Sequence, residues 1–300
     1  MQTLKSIFYL FVTSLVIASC DNAPKHPDTL STGTIDISAD ETYKPVIEEQ
    51  LKVFDSSYPN AHITVHYKPE SECFKDFFDD KARIILVTRQ LSTAEKQLCD
   101  QKQIAPTSEA LAKDAVAVIM NNSSADSLLD MAALKGILTG VYKKKYTVVF
   151  DNQGSSTVRY ITDSILKGQK LGSNVFAAKG NAEVVEYVAK NPDAIGFVGL
   201  SYVSDPIDTA NTGGFINTIK VAAMLNDSTR RFYQPYQAYI ALRWYPLTRD
   251  LFYVSRESYH GLGTGFANFL TSTRGQLIFK HANLFPLRMN IIIREASVNP

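Results

Sequence analysis

The densest chemical signal in the chain lies between Val148 and Leu166, where VVFDNQGSSTVRYITDSIL runs from an apolar stretch through Gly154-Ser155-Ser156-Thr157 into a helix-patterned segment. A helix that opens on small hydroxyls can cradle an oxyanion. Its first backbone N–H groups lack intrahelical partners, the macrodipole leaves partial positive charge there, and three hydroxyls add donors without bulk. The same residues also make an ordinary Ser/Thr N-cap, so the run alone leaves both readings open.

Other spacings carry less. His62 and His66 are four apart, but on a strand that separation spans about 13 Å, too far for one metal ion. Ser164-Ile-Leu-Lys167 has the Ser-x-x-Lys spacing of acyl-transfer enzymes, yet it falls late in a helix and lacks the companion motifs. Gly261, Gly263 and Gly265 precede a helix with no strand before them, which reads as a turn rather than a dinucleotide loop. No catalytic residue, metal or cofactor is expected.

The N-terminus points to the cell envelope. Lys5 supplies a positive start, Ile7 to Ala18 form a short apolar core, and Ile17-Ala18-Ser19-Cys20 reads as a lipobox. That core falls short of the ~20 residues needed to span a bilayer. Residues 1–19 are therefore expected to be a lipoprotein signal peptide, Cys20 the acylated residue, and 20–32 a polar tether; a plain secretory signal is the competing reading. A periplasmic or envelope location follows, with the membrane reached through the lipid anchor.

Of 300 residues, 31 are Lys or Arg and 30 Asp or Glu, and only Lys5 among them falls in the signal segment, so the mature body is balanced in charge. No polybasic block exists to bind phosphate backbones, which argues against nucleic acid. The length suits two lobes with a sizeable core, to which most of the 15 Tyr and 16 Phe should belong. Cys73 and Cys99 remain after acylation; they could pair in an oxidising compartment or stay as buried thiols, and free thiols are favoured.

The elements that must position the hydroxyl run alternate between strand and helix. Thr34 to Ser38, Ala61 to Tyr67, Arg83 to Thr88, Ala115 to Met120, Tyr146 to Phe150 and Ala194 to Gly199 read as strands. Tyr43 to Ser57, Glu72 to Asp79, Met131 to Leu138, Ser155 to Leu166 and Ala182 to Ala189 read as helices, and Tyr202 to Gly214 as a surface excursion. This is α/β architecture, with two sheets expected and ligands at strand C-terminal ends.

The order of segments resembles the phosphate-binding, PstS-like substrate-binding proteins of ABC importers. The likeness covers about Gly33 to Arg288 and is carried by YPNAHITV (Tyr58 to Val65), TRQLSTAE (Thr88 to Glu95), KDAVAVIMN (Lys113 to Asn121), GSSTVRY (Gly154 to Tyr160), NPDAIGFVGLSYV (Asn191 to Val203), YPLTRDLFYV (Tyr245 to Val254) and FANFLTSTRGQLIF (Phe266 to Phe279). It implies an α/β, two-lobed type II periplasmic-binding-protein fold with two crossover strands and an interlobe ligand cleft. Lobe one would comprise 33–114 plus 249–300, and lobe two 115–248. It further implies a monomeric, non-enzymatic protein that captures phosphate or another small oxyanion and presents it to permease subunits by hinge closure. Binding groups would come from the loop Ser38 to Thr42, from Thr88 and Arg89, and from Ser155, Ser156 and Thr157.

Two departures from the family pattern bear on the ligand. Asp40-Glu41-Thr42 stands where hydroxyls are usual, and Asp151 stands four residues before the Ser-Ser-Thr triplet where an arginine is common. Arg89, as a bidentate clamp, and Arg159 could restore positive charge, while Asp40 or Asp151 accepts the proton of a partly protonated oxyanion. Against this, Asp40 and Glu41 could be a cap and a first-turn acid, Asp151 could bond neighbouring loop amides, and Arg159 could pair with Asp163 at i,i+4. The acids would equally suit a same-fold sensor or a binding protein for an uncharged or amino-bearing ligand.

Overall fold

The computed structural model describes residues 27–205 and 214–293. The expected signal segment, Cys20, most of the tether and much of the excursion after Tyr202 lie outside them. Lobe one begins with β1 (Gly33–Asp40), α1 (Lys44–Ser57), β2 (Ala61–Lys68), α2 (Glu70–Phe78), β3 (Ile84–Val87) and α3 (Thr93–Gln101). β4 (Thr107–Met120) then leads into β5 (Leu128–Leu129), α4 (Met131–Thr139), β6 (Thr147–Phe150), α5 (Ser156–Tyr160), β7 (Val175–Ala177), α6 (Asn181–Lys190) and β8 (Ala194–Gly199). After β9 (Lys220–Val221), β10 (Ala223–Asn226), β11 (Arg231–Tyr233) and α7 (Gln237–Ala241), the chain returns through β12 (Thr248–Ser255) to α8 (Leu262–Thr271), α9 (Thr273–His281) and β13 (Phe285–Pro286).

Local chemistry accounts for the element ends. Pro45 sits in the first turn of α1, where a missing N–H costs nothing. The buried face of α1 (Val46, Ile47, Gln50, Phe54) repeats at helical spacing, and Phe54 meets Phe266 and Phe269 of α8 edge-on at 5.2 and 5.3 Å. Ser92 and Glu95 form a reciprocal capping box on α3. Gly140, at φ 79°, closes α4 in a left-handed conformation that a side chain would strain.

Two sheets are present, but they do not divide one to each lobe. One sheet runs β2-β1-β3-β12-β4-β8-β6-β7, with β9 and β13 also on β4, and a second, of three strands, runs β11-β10-β5. The first half of β4 pairs antiparallel with β12 and its second half with β8, so a single strand serves both lobes. The sequence reading began this strand at Ala115 because Glu109, Lys113 and Asp114 interrupt its apolar run. Buried apolar residues nonetheless divide cleanly: the largest cluster draws only on residues from Ala115 to Leu247, and the other two on Ile35 to Ala112 and Leu251 to Leu284. The helix expected over Ser155 to Leu166 is α for one turn and then π-helical from Ile161 to Leu166, ending at Lys167 with φ 48°. Cys73 and Cys99 are free and buried.

Candidate functional site

Four elements converge where the lobes meet. β1 ends in Asp40, and the turn Glu41–Tyr43 follows at once, with the Thr42 N–H donating to Asp40 Oδ1 at 3.0 Å. Ser155 caps α5 by accepting from Val158 N at 3.2 Å, which leaves Ser156 and Thr157 pointing into the interior, both fully buried. The lobes touch there: Thr42 Oγ1 lies 3.5 Å from Ser156 Oγ.

The cation of this centre is Arg249 on β12, whose side chain is 3 % exposed. Arg249 and Asp114 of β4 are direct partners across the antiparallel ladder, and Arg249 Nε donates to Asp114 Oδ2 at 2.8 Å. Its Nη1 donates to Ser156 Oγ at 2.9 Å and to Thr157 Oγ1 at 3.3 Å. The guanidinium carbon lies 5.6 Å from the centre of the Tyr43 ring, a cation–π contact in a desolvated place.

Polar demand here exceeds what the chain supplies. Among the described residues nine buried side-chain N or O atoms lack a partner, and five of them cluster at this centre: Asp40 Oδ2, Tyr43 Oη, Asp114 Oδ1, Asp151 Oδ1 and Arg249 Nη2. Buried polar groups are nearly always paired, so such a concentration could receive a polar guest. Burial, aided by repulsion from Glu70, pushes the Asp40 carboxyl up to about 7, and burial lifts Asp151 to about 6. Both can hold a proton near neutrality and both can accept one from a ligand. Among the described residues no group of His, Cys, Asp or Glu is placed to hold a metal ion.

Not every expected residue joins the centre. Asp40, Thr42, Ser156 and Thr157 do, and Asp151 borders it, accepting from Asn181 Nδ2 at 3.1 Å. Ser38, although buried, donates to Asp76 Oδ2 at 2.7 Å, an internal contact of lobe one. Arg89 cannot act as the clamp in this arrangement, because its fork is already taken. Nη1 and Nη2 grip the two oxygens of Glu95 at 2.7 and 2.9 Å, and the guanidinium stacks 3.7 Å above the Phe74 ring. Although burial disfavours the ionised acid, those bonds and the Ser92 amide hold Glu95 down at about 2.

Thr88 and Arg159 instead bridge the lobes. Arg159 donates to Glu70 Oε2 and to Thr88 Oγ1, both at 2.6 Å, while the i,i+4 contact with Asp163 is looser at 3.7 Å. Glu41 points away from the centre into lobe two, toward Asn181 and Tyr202. Sequence reasoning missed Arg249 and Asp114. The only trace was a pair of adjacent charged residues in each of two strand runs that are otherwise largely apolar, TRDLFYV and KDAVAV.

With this geometry in view, comparisons with known proteins converge. A family model described as the PBP superfamily domain matches residues 24–274. The chain is 23% identical over 296 residues to the protein SphX of Synechococcus elongatus, covering 92% of this chain and 85% of that one. It is 23% identical over 282 residues to the phosphate-binding protein PstS of Pseudomonas aeruginosa, covering 85% and 84%. A Clostridium perfringens structure described as a phosphate ABC transporter substrate-binding protein with bound phosphate superposes with a TM-score of 0.71 at 20% identity, over 85% of this chain and 100% of that one.

Proposed function

The chain belongs to the PBP superfamily, and from that premise we propose that it is a lipid-anchored substrate-binding protein that captures phosphate, or a related small oxyanion, for an ABC importer by closing two lobes around it. The observation that carries this reading is the pairing of an unsatisfied cationic donor with an unsatisfied acceptor in one buried place: Arg249 Nη2 and Asp40 Oδ2. A partly protonated oxyanion needs both, because its anionic oxygens seek charge-assisted donors and its own O–H seeks an acceptor. Thr42, Ser156 and Thr157 supply hydroxyls that can turn either way. The name of the PstS relatives, phosphate-binding protein, points to the same ligand class.

Lobe one is assigned to 33–114 and 249–300, lobe two to 115–248, with β4 and β12 as the crossovers. Acyl transfer to Cys20 would hold the body, through 20–32, at the envelope membrane beside the permease subunits, where a monomer suffices. Incorporation of labelled acyl chain into the wild type but not into Cys20→Ala reads out that anchor. Capture requires no covalent step, so no enzyme chemistry is assigned.

The surplus of acid favours a second reading. Asp40, Asp114 and Asp151 face one buried guanidinium, which would also suit an uncharged or amino-bearing ligand or a sensor of one. A thermal-shift panel separates the two. Ligand at a hundred times its dissociation constant stabilises by about 2.7 kcal/mol, which raises the melting temperature of a chain this size by roughly 4–5 °C. Phosphate, and not amino acids, should produce that shift at sub-millimolar concentration; a shift with amino acids alone would establish the second reading in place of the first.

A further inference from the structure

The carboxylate of Glu41 is carried by lobe one but is used by lobe two. It accepts from the backbone N–H of Asn181 at 3.3 Å and from Asn181 Nδ2 at 2.5 Å, and the Tyr202 hydroxyl donates to it. Asn181 opens the ten-residue helix α6, whose first amides need an acceptor and whose positive end favours an anion. No side chain of the N-cap residue, Gly180, meets that need. A Cβ built on Gly180 would lie only 3.2 Å from Glu41 Oε1, so the glycine lets the acid approach.

Surrounding contacts fix the same docking. Ser201 Oγ donates to the Thr42 carbonyl at 3.2 Å, and Tyr202 Oη also donates to the Glu41 carbonyl at 3.1 Å. A Cβ on Gly199 would fall 2.2 Å from Thr42 Cγ2, so the turn Glu41–Tyr43 seats against the end of β8 only because that end is glycine. Asn181, fully buried, holds the assembly: its Oδ1 accepts from Gly199 N at 3.1 Å while its Nδ2 is shared by Glu41 and Asp151.

We propose that Glu41 is an interlobe latch, a carboxylate delivered by lobe one to the N-terminus of α6 that favours the closed arrangement without touching the ligand. Its contacts come from the chain itself and so favour closure whatever the cleft holds. The consequence for binding rests on the capture reading above; the conformational claim does not. Because apparent affinity scales with the closed fraction, weakening the latch loosens ligand indirectly. A charge-assisted set of this kind is worth about tenfold or more in an equilibrium constant.

The test uses Glu41→Ala and Tyr202→Phe, examined by small-angle scattering without and with phosphate and by stopped-flow phosphate release. In phosphate-free solution both variants should show a larger radius of gyration than the wild type, more so for Glu41→Ala. Saturating phosphate should restore the compact value, and release should quicken about tenfold or more with association little changed. Radii equal to the wild type in phosphate-free solution would overturn the latch. If Glu41→Ala does not fold, Tyr202→Phe carries the test. Failure of the capture reading would appear separately, as a wild type that does not bind phosphate, and leaves the phosphate-free arm readable.

Discussion

Replacing Arg249 by glutamine separates what this residue does for the fold from what it does for a ligand. The substitution strands Asp114, whose side chain is 1 % exposed and whose Oδ2 loses the 2.8 Å bond from Nε. Breaking one side of a buried ion pair typically costs about 3–5 kcal/mol, because the remaining charge has no counterpart. The two bonds from Nη1 to Ser156 and Thr157 go as well. Arg249→Gln should therefore lower unfolding stability by about 3–5 kcal/mol in urea titrations. The double variant Arg249→Gln with Asp114→Asn removes the stranded charge and should regain about half of that loss or more. Phosphate affinity should not follow. At least one charge-assisted bond from Nη2 is gone in both variants, worth about 1.5–3 kcal/mol, so calorimetry should record a loss of about ten- to a hundredfold in each. A double variant that regains stability and binds phosphate like the wild type would refute the assignment of Arg249 to the site.

Two further outcomes follow from the same geometry. Arg89→Ala should leave phosphate affinity within about threefold of the wild type while costing roughly 1 kcal/mol through the Glu95 cap of α3; a hundredfold loss of affinity in calorimetry would return Arg89 to the ligand. Stability should also depend on pH through Asp40, whose carboxyl is raised by burial from 3.8 to about 7. The folded chain then keeps a proton that the unfolded chain gives up, so this contribution is complete below about pH 4 and is lost as pH rises through 7. Asp151, raised to about 6, acts in the same direction. Asp40→Asn should flatten the fall in melting temperature between pH 5 and 8 in phosphate-free buffer, and parallel curves for the two proteins would show that Asp40 ionises freely.

Local signals explain what the sequence revealed. Ser155, Ser156 and Thr157 stand out in the sequence because a glycine, three hydroxyls and a helical period sit side by side, and all three are buried. Arg249 and Asp114 were not, because their meaning lies in a register between strands separated by a whole lobe. Glu41 was expected among the ligand groups, with an acid in the first turn of its own helix as the competing reading. The helix end it serves instead begins at Asn181, a distance along the chain that no window spans. The clamp was sought at Arg89 because it stands at a strand end, yet Glu95, six residues on, already satisfies it. The π-helical stretch after Tyr160 was invisible for another reason: its apolar residues fit an α period equally well over so short a run.

The place of β12 between β3 and β4 also governs how the molecule can be made. A chain emerging from its N-terminus presents β3 with an open edge until everything through Leu247 has been synthesised and compacted. Only then can Thr248–Ser255 fill the gap. Closing so long an excursion is slow compared with forming local turns, and a bare parallel edge is a template for wrong partners while it waits. Maturation of the first lobe is thus hostage to the second, so lesions that delay the middle of the chain should appear as aggregation of its beginning.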